Sequence, residues 1–368
     1  MNRIFINGVG SISPQKTTDN SRFLEEPLSF EANRLTCIDP GYREFIPAEM
    51  IRRMGRIIKM GVAASKLCLQ DAGDGNRSDG LTGFPENSRI PAAIITGTGL
   101  GCMEDTGKFL ASMINNREEF LTPTSFIQST HNTVAGQIAL LLKCHSYNFT
   151  YVHRGISFES ALIDAMTQMQ LGEFSNVLVG GTDEITNEYF AITTRMGFWK
   201  QKPIQTINLL DDHQRGTVAG EGASFLFLEN QKNDHTYAEL KGVTTFMNPS
   251  SGMDVSLSLH ELLSKFSMTV SDIDLVILGL NGDSRTDKPY HDLIKTDFPD
   301  APVAYFKNLC GEYHTSSAFA TWLGAMVLKK QTVPRVIRIN HAPERLDNVL
   351  IYNHHLGDNH AFILLSRM

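Results

Sequence analysis

The hydrophobic and polar residues between positions 148 and 184 predict a strand, a sharp turn, a helix and a second strand. The first, β-rich run ends at Gly155, and apolar residues recur at helical spacing from Ser157 onward. Ser157 is of a type that caps helices, and the charge of Glu159 suits a helix N-terminus. Residues 176–181 (NVLVGG) then predict a fully buried parallel strand.

Similar patterns of strand and helix fill much of the remaining chain. Residues 3–10 predict a strand closed by glycines, and residues 56–72 predict an amphipathic helix. A buried strand followed by a glycine turn occurs at 94–99 and again at 273–282, as expected of a duplicated βαβ fold. The pattern therefore indicates an α/β protein built from two similar halves.

The residue at the sharp turn decides what chemistry this segment can perform. A side chain there lies where several helix N–H groups converge, so a cysteine would have a lowered pKa and be a ready nucleophile. The chain has Gly155 at this position. The surroundings resemble the β-ketoacyl synthases of the thiolase superfamily, the condensing enzymes of fatty-acid and polyketide assembly, in which the segment usually reads ACxSG or ACSSS.

The resemblance covers essentially the whole chain and is weakest at residues 14–50 and 330–352. Residues 209–223 are similar to the family's PFDxxRDGFVxGEGA tract, although Gln-Arg replaces its Arg-Asp pair. The resemblance implies a thiolase-like α/β fold, in which two duplicated βαβ halves form a five-layered α-β-α-β-α architecture. We expect these halves to be residues 1–232 and 233–368.

Condensation in this family needs two histidines besides the cysteine, because imidazoles activate and stabilise the decarboxylating malonyl thioester. The first histidine belongs to an HGTxT motif, and this chain has Asn281 at that place. The second belongs to a KxxxGH motif, of which Lys307 and the glycine remain while Glu312 replaces the histidine. With Gly155 at the nucleophile position as well, we expect no catalytic residue.

These replacements change what the site can do. Asn281 can donate a hydrogen bond but cannot shuttle a proton near neutral pH. An ionised Glu312 places negative charge about where the carboxylate of malonate would bind. Two like charges about 4 Å apart repel by about 4 kcal/mol at an effective dielectric constant of about 20. We therefore predict that decarboxylative condensation does not occur at this site.

Other side chains near the turn leave alternatives open. Ser157 and Cys310 could act as nucleophiles, but an activated serine needs a base within reach, and a thiol in apolar surroundings is inert. Four charged residues either form a buried network that fills the old site or point in part to solvent. These residues are Arg154, Glu159, Lys307 and Glu312.

The segment Asn353–His360 (NHHLGDNH) corresponds to the family's NSFGFGGTN gating loop, whose phenylalanine and double glycine are gone. We expect Leu356, within this loop, to lie beside the site. The histidines raise the alternative of a metal site, but adjacent residues rarely point at one ion. We expect instead a loop that packs against the degenerate cavity, with no metal.

Residues 122–142 resemble the family segment that ends in N-x-V-A-G, which lies at the dimer interface and lends side chains to the partner's acyl pocket. Its small residues at 135–136 would let another element approach closely. The alternative is an ordinary core helix. The residues predicted at the interface are His131, Asn132, Thr133, Ala135 and Gly136.

The tract Gly97–Gly101 (GTGLG) raises the question of a dinucleotide cofactor. A nucleotide fingerprint has its glycines entering a helix within the first βαβ unit, with an acidic residue about 20 residues later. Here the tract comes too late in the chain. Glu104 and Asp105 also place negative charge close to where a pyrophosphate would lie. We therefore expect no cofactor.

Composition and charge narrow the class of protein. The 368 residues, 42% hydrophobic and 20% charged, are typical of a soluble globular chain, and no apolar run reaches the roughly 20 residues of a membrane span. The net charge of −7 argues against general nucleic-acid binding. Five scattered cysteines favour neither disulfides nor zinc, and the first residues lack the features of a signal peptide, so we expect a cytoplasmic protein.

A fold kept without its catalytic trio resembles the chain-length factors, the partner subunits of type II ketosynthases. The tracts HRGISFES and CGEYHTSSAFA look most like the chain-length-factor-type subunits of aryl polyene and flexirubin-like pigment clusters. The resemblance implies a non-catalytic subunit that pairs with an active β-ketoacyl synthase and shapes its acyl tunnel. The alternatives are a homodimeric acyl-thioester transferase or hydrolase with an unconventional nucleophile, and a ligand-binding relic of the fold.

An acyl carrier protein is the other partner that the resemblance implies. Carrier proteins of this kind are themselves acidic, so one would have to dock on a local basic patch. The sequence IRRMGRIIKMG contains a candidate patch, and the alternative is an ordinary solvated helix face. The patch consists of Arg52, Arg53, Arg56 and Lys59.

Overall fold

The computed structural model describes residues 2–22, 25–73, 90–119, 121, 123–212, 214–249 and 252–368. In this part of the chain the strands are β1 (Phe5–Ile12), β2 (Glu31–Ala32), β3 (Ala93–Gly97), β4 (Tyr147–Tyr151), β5 (Asn176–Asp183), β6 (Ile204–Gln205), β7 (Gly222–Glu229), β8 (Ala238–Met247), β9 (Leu275–Leu278), β10 (Val303–Tyr305), β11 (Asn348–His355) and β12 (Asn359–Ser366). The helices are α1 (Ala48–Ile51), α2 (Arg56–Ala72), α3 (Met103–Asn115), α4 (Pro123–Ser129), α5 (Thr133–Leu142), α6 (Ser157–Gln170), α7 (Asn187–Arg195), α8 (Gly252–Ser264), α9 (Lys288–Asp297), α10 (Lys307–Cys310) and α11 (Ser316–Lys330).

The main strands form two five-stranded half-sheets of the same design. Their orders are β4-β3-β5-β7-β1 and β10-β9-β11-β12-β8, and the halves join where β1 pairs with β8. In each half, the first three strands are parallel and the last two run antiparallel to their neighbours. The repeated order confirms the predicted duplication. The boundary between residues 232 and 233 falls between β7 and β8, and it stays a prediction.

Helices cover both faces of each half-sheet and so produce five layers. Successive side chains of a strand point to opposite faces. Ile95 of β3 and Ile277 of β9 therefore pack into a central core with α6 and α11. On the outer face of the first half-sheet, Ile94 packs with α2 and α5. On the outer face of the second half-sheet, Val276 packs with α8 and α9. This arrangement confirms the predicted α-β-α-β-α architecture.

The central helix α11 is buried on all sides because it lies between the two half-sheets. All of its residues from Ser316 to Leu328 are buried, which agrees with its apolar character around the whole circumference. Among the helices of the described residues, none is long and apolar enough to cross a membrane.

Three local predictions differ from the structure. Ser157 is not the cap of α6, because the chain forms a 3₁₀ turn at Arg154–Ile156 and α6 begins at Ser157 itself. Strand β5 is buried as predicted, but it is parallel only to β3 and runs antiparallel to β7. Residues 353–360 are not an open loop: they are the tip of the β11–β12 hairpin, whose strands pair up to His355 and Asn359.

Candidate functional site

The turn between β4 and α6 contains Gly155, which the sequence resemblance predicts to replace a nucleophile. Gly155 lies buried in the 3₁₀ turn. The Ser157 hydroxyl accepts a hydrogen bond from the His153 N–H at 2.8 Å and donates one to the Arg154 carbonyl at 2.7 Å. The Ser157 hydroxyl proton is therefore engaged in a hydrogen bond that stabilises the turn.

Gly155 packs so closely against the β11–β12 hairpin that no side chain fits there. A Cβ atom at this position would overlap the Cβ of His355 and lie 3.1 Å from its Cγ and 3.3 Å from the Cβ of Asn359. Gly155 is not among the residues with a positive φ. The position therefore requires glycine for space rather than for backbone freedom, and His355 occupies the volume that a cysteine would need.

Glu312 lies at the centre of a buried polar network beside this turn. Its Oε2 accepts hydrogen bonds from the Lys307 ammonium and, at 3.0 Å, from the Asn281 Nδ2. Its Oε1 lies 3.4 Å from the His355 Nδ1. The side chains of Lys307 and Glu312 are both fully buried. The structure thus brings together three of the predicted site residues, Asn281, Lys307 and Glu312.

The network keeps Glu312 ionised. Burial alone raises the pKa of this carboxyl, but the Lys307 ammonium and the hydrogen bond from His355 outweigh burial and lower the pKa to about 2. A fixed negative charge therefore lies at Glu312, the position that the sequence resemblance predicts to replace a histidine. This charge is compensated by Lys307, so the pair is a filled structural feature rather than a proton-transfer site.

Backbone hydrogen bonds hold the two replaced positions in place. The Asp287 carboxylate accepts from the N–H of Asn281 at 3.1 Å and from the N–H of Gly282 at 2.8 Å. The Glu312 N–H donates to the Val218 carbonyl at 2.8 Å. Burial raises the pKa of Asp287 to about 6. Asn281 and Glu312 are therefore fixed by the loops after β9 and α10.

Two stacked histidines complete the site. The rings of His314 and His355 lie 4.2 Å apart at an angle of 30°. Burial lowers the pKa of His314 well below its usual value, and the neighbouring His355 lowers it further. The sequence places His355 only within a predicted loop and does not indicate His314. Its place two residues after Glu312, just before α11, was the signal that could have singled it out.

The glycine tract after β3 packs against these histidines. A Cβ atom at Gly99 would overlap the ring of His314. The Asp183 carboxylate accepts from the Gly99 N–H at 2.8 Å and the Thr98 hydroxyl at 3.0 Å, and also from the N–H and hydroxyl of Thr315. Asp183, which the sequence did not indicate, therefore ties this turn to the N-terminus of α11.

The space that remains at the site is very small. A cavity lined by Tyr189, Trp199, Glu312, His314 and His355, among others, has a volume of about 10 Å³. That is room for no more than about one water molecule. This cavity is too small to hold an acyl chain.

The other predicted site residues lie around the network without joining it. Arg154 is exposed to solvent, as one of the two alternatives predicted, and it adopts a positive φ of 50°. Glu159 is fully buried, which raises the pKa of its carboxyl to about 7. The Cys310 thiol is buried, and this burial is the main reason why its pKa is raised well above the usual value. Leu356 is half-buried in the hairpin turn.

The residues predicted at a dimer interface divide into two groups. His131, Asn132 and Gly136 are exposed, and a Cβ atom at Gly136 would meet nothing within 4 Å. Thr133 and Ala135 are buried within the chain. Only the first group can contact another molecule directly.

The basic patch predicted for carrier-protein docking is smaller than its sequence indicates. The Arg56 guanidinium donates to Glu221 at 2.6 Å and to Asp39 at 2.8 Å, so its charge is used inside the fold. Arg52 and Arg53 are exposed. These two remain available to an acidic partner.

No group of three or more His, Cys, Asp and Glu side chains able to hold a metal ion occurs within the described ranges. The Nδ1 of His354 and the Nε2 of His360 instead bind the backbone of Gly357.

The paired half-sheets, with two central helices whose N-termini meet at the site, define a thiolase-like fold. Residues 3–234 match the family model "Beta-ketoacyl synthase, N-terminal domain". The chain belongs to this family.

Similar proteins are related at low identity. A "3-oxoacyl-[acyl-carrier-protein] synthase 1" from Buchnera aphidicola subsp. Baizongia pistaciae (strain Bp) is 22% identical over 213 residues, 55% of this chain and 51% of that protein. The match thus spans about half the length of this curated relative.

Two solved structures share the fold over the full chain. "The ishigamide ketosynthase/chain length factor" has a TM-score of 0.79 at 18% identity and covers 100% of this chain and 99% of that one. "Crystal structure of a Beta-ketoacyl synthase from Burkholderia phymatum STM815" has a TM-score of 0.80 at 17% identity and covers 100% of both chains. Fold similarity of this kind does not separate a synthase from a chain-length factor, so the difference has to come from the site.

Proposed function

We propose that this chain is a non-catalytic, chain-length-factor-type subunit that pairs with an active β-ketoacyl synthase and shapes its acyl tunnel. The observation that carries the proposal is the packing of His355 into the space that a nucleophile at Gly155 would need. The buried Asn281, Glu312 and Lys307 network supports it, because neither family histidine remains to activate malonate. We place the subunit in polyene-type biosynthesis on the resemblance of its tracts alone.

The hydrogen bonds around the turn weigh against an enzyme with an unconventional nucleophile. The Ser160 hydroxyl donates its proton to the Ile156 carbonyl at 2.8 Å. The His153 Nδ1, 3.0 Å from the Ser160 Oγ, must therefore donate to this hydroxyl oxygen and does not act as a base for Ser160. The Ser157 proton is held by Arg154, and the Cys310 thiol is buried with a raised pKa. No activated nucleophile results from these contacts.

The face that we propose for the partner synthase is formed by α4, α5 and the edge strand β4. The short helix α4 buries none of its residues, and Phe126 and Ile127 are 55% and 60% exposed. Leu140 of α5 and Phe149 of β4 are also exposed apolar residues. Strand β4 ends the sheet of the described residues, so no described strand pairs with its outer edge. His131, Asn132 and Gly136 would lie at this contact.

We propose an acyl carrier protein as the second partner. An acidic carrier needs exposed positive charge close to the synthase complex. Arg154 at the turn, with Arg52 and Arg53, would supply it.

A labelling experiment tests the proposal. The purified chain is incubated with radiolabelled acyl carrier protein, beside a cysteine-bearing synthase as the control. We expect a covalent acyl adduct on the control and none on this chain, together with co-purification of the chain with such a synthase. A stable adduct on this chain would contradict the proposal and favour the enzyme alternative.

A further inference from the structure

The turn that joins β11 to β12 is strained. Leu356 has a φ of 51° and Gly357 has a φ of 88°, and the Asp358 N–H donates to the His355 carbonyl at 3.2 Å. A bulky residue rarely adopts a positive φ, and such strain persists only where the surroundings hold it. Something other than the turn itself must therefore keep it closed.

Two histidines hold the turn by its central peptide groups. His354 and His360 face each other across the hairpin. The Gly357 N–H donates to the His354 Nδ1 at 3.2 Å, and the His360 Nε2 donates to the Gly357 carbonyl at 3.0 Å. Both hydrogen bonds depend on the two rings being in place.

The hydrogen bonds of the other two ring nitrogens indicate the protonation state of both histidines. The His354 Nε2 donates to the Thr286 carbonyl at 2.9 Å, so its Nδ1 can accept from Gly357 only in the neutral ring. The His360 Nδ1 accepts from the Tyr352 hydroxyl at 2.8 Å, which also fits a neutral ring. The closed turn therefore requires an unprotonated His354.

The surroundings of His354 oppose its protonation. Its ring is buried and stacks on Tyr290 at 4.3 Å, with Tyr352 at 6.3 Å. The Lys307 ammonium lies 3.3 Å from the His354 carbonyl. Burial lowers the pKa of His354 well below its usual value; His360 and Lys307 lower it further, and Glu312 opposes them. Burial lowers the pKa of His360, and the hydrogen bond to the Gly357 carbonyl and the charge of Asp358 oppose this effect.

We propose that the hairpin tip is an acid-released latch over the Gly155 site. A proton taken up from solvent by the His354 Nδ1 turns this acceptor into a donor that faces the Gly357 N–H. The bond breaks, the strained Leu356 turn relaxes, and the strand end that carries His355 withdraws from Gly155. The open form binds protons more readily than the closed form. The closed form therefore becomes less stable relative to the open form as the pH falls below about 6.5, the ordinary pKa of a histidine side chain.

Hydrogen–deuterium exchange of the whole chain tests the latch. Protection of residues 353–360, corrected for intrinsic exchange, is measured from pH 7.5 to pH 4.5 beside the far-UV circular dichroism signal. We expect this segment to lose protection at least tenfold on acidification while the circular dichroism signal is retained. Protection that persists until the whole protein unfolds would overturn the proposal.

Two variants separate the latch from general acid sensitivity. His354→Asn keeps an oxygen acceptor for the Gly357 N–H but cannot be protonated, so its hairpin tip should stay protected over the same pH range. The control is His145→Asn, at an exposed histidine, which should behave as the unmodified chain does. Loss of protection in His354→Asn at the same pH as in the unmodified chain would overturn the proposal.

Discussion

At the scale of single residues, two contacts define the site: the close packing of His355 against Gly155, and the buried ion pair of Glu312 and Lys307. Gly155 gives up the volume that His355 takes, and Glu312 brings a negative charge that Lys307 neutralises. The sequence motifs assign Gly155, Asn281 and Glu312 to positions that are catalytic in the family, and this assignment stays a prediction. The sequence could not predict His355 as the residue that fills the site, because that contact joins positions 200 residues apart in the chain.

We predict that Gly155→Ala destabilises the protein by about 1–3 kcal/mol, because the added methyl group overlaps His355. The free energy of unfolding, measured by urea denaturation, gives the effect. His355→Ala should restore part of the loss in the double variant. Gly107→Ala is the control, because a Cβ atom there meets nothing within 4 Å. Equal stability of Gly155→Ala and the unmodified chain would contradict the packing account.

Glu312→Gln should destabilise the protein by about 3–5 kcal/mol at pH 7, because Lys307 is left as an unpaired buried charge. The folded pKa of Glu312 is about 2, below its unfolded value near 4.5. Its stabilising effect is therefore present above pH 4.5 and is lost as pH falls toward 2.

Urea denaturation at pH 7 and pH 3 measures the difference between this variant and the unmodified chain. The difference should shrink at the lower pH. The matched control is the double variant Glu312→Leu with Lys307→Met, which removes both charges and should be less destabilised than Glu312→Leu alone. A difference that is the same at both pH values would show that Glu312 is not stabilised by its charge.

Glu159→Gln should have the opposite pH dependence. The folded pKa of Glu159 is about 7, raised from 4.5 by burial, so the folded state holds this proton more tightly than the unfolded state. Stability from this group is greatest below pH 4.5 and falls as pH rises to 7. The variant should be more stable than the unmodified chain at pH 8, by on the order of 3 kcal/mol, and similar at pH 4. Thermal unfolding at both pH values checks this, and a constant difference would contradict it.

At the scale of elements, the sequence predicted best where the local pattern alone decides the structure. Helix α2 has the bounds that its periodicity indicates. The prediction was wrong where tertiary contacts decide. Residues 353–360 resemble a gating loop in sequence, yet pairing with β8 and β9 extends the strands almost to the turn. Ser157 is of a capping type, but no sequence pattern indicates the 3₁₀ turn that precedes it.

The exposed face of α4 and β4 gives a prediction at this scale. Ile127→Asp should abolish co-purification with a partner synthase without lowering the melting temperature, because Ile127 is 60% exposed and packs little within the chain. Leu257→Asp, on α8 at 58% exposure, is the matched control and should leave binding unchanged. Equal binding by both variants would place the partner on another face.

At the scale of the whole molecule, two similar halves enclose a site whose cavity has a volume of about 10 Å³. The duplicated strand order could be predicted from the repeated strand and glycine turn, and the five layers follow from the family resemblance. Asp183 and His314 could not be predicted, because they act by joining the turn after β3 to the N-terminus of α11, and that junction exists only in the folded chain.

The most direct test of this account locates the acyl group in a reconstituted complex. The chain is co-purified with a cysteine-bearing synthase, loaded with radiolabelled acyl carrier protein, and the two subunits are separated under denaturing conditions. We predict one acyl group per complex, all of it on the partner, and no label on either subunit when the partner's nucleophilic cysteine is replaced by alanine. Label on this chain in either experiment would contradict the account.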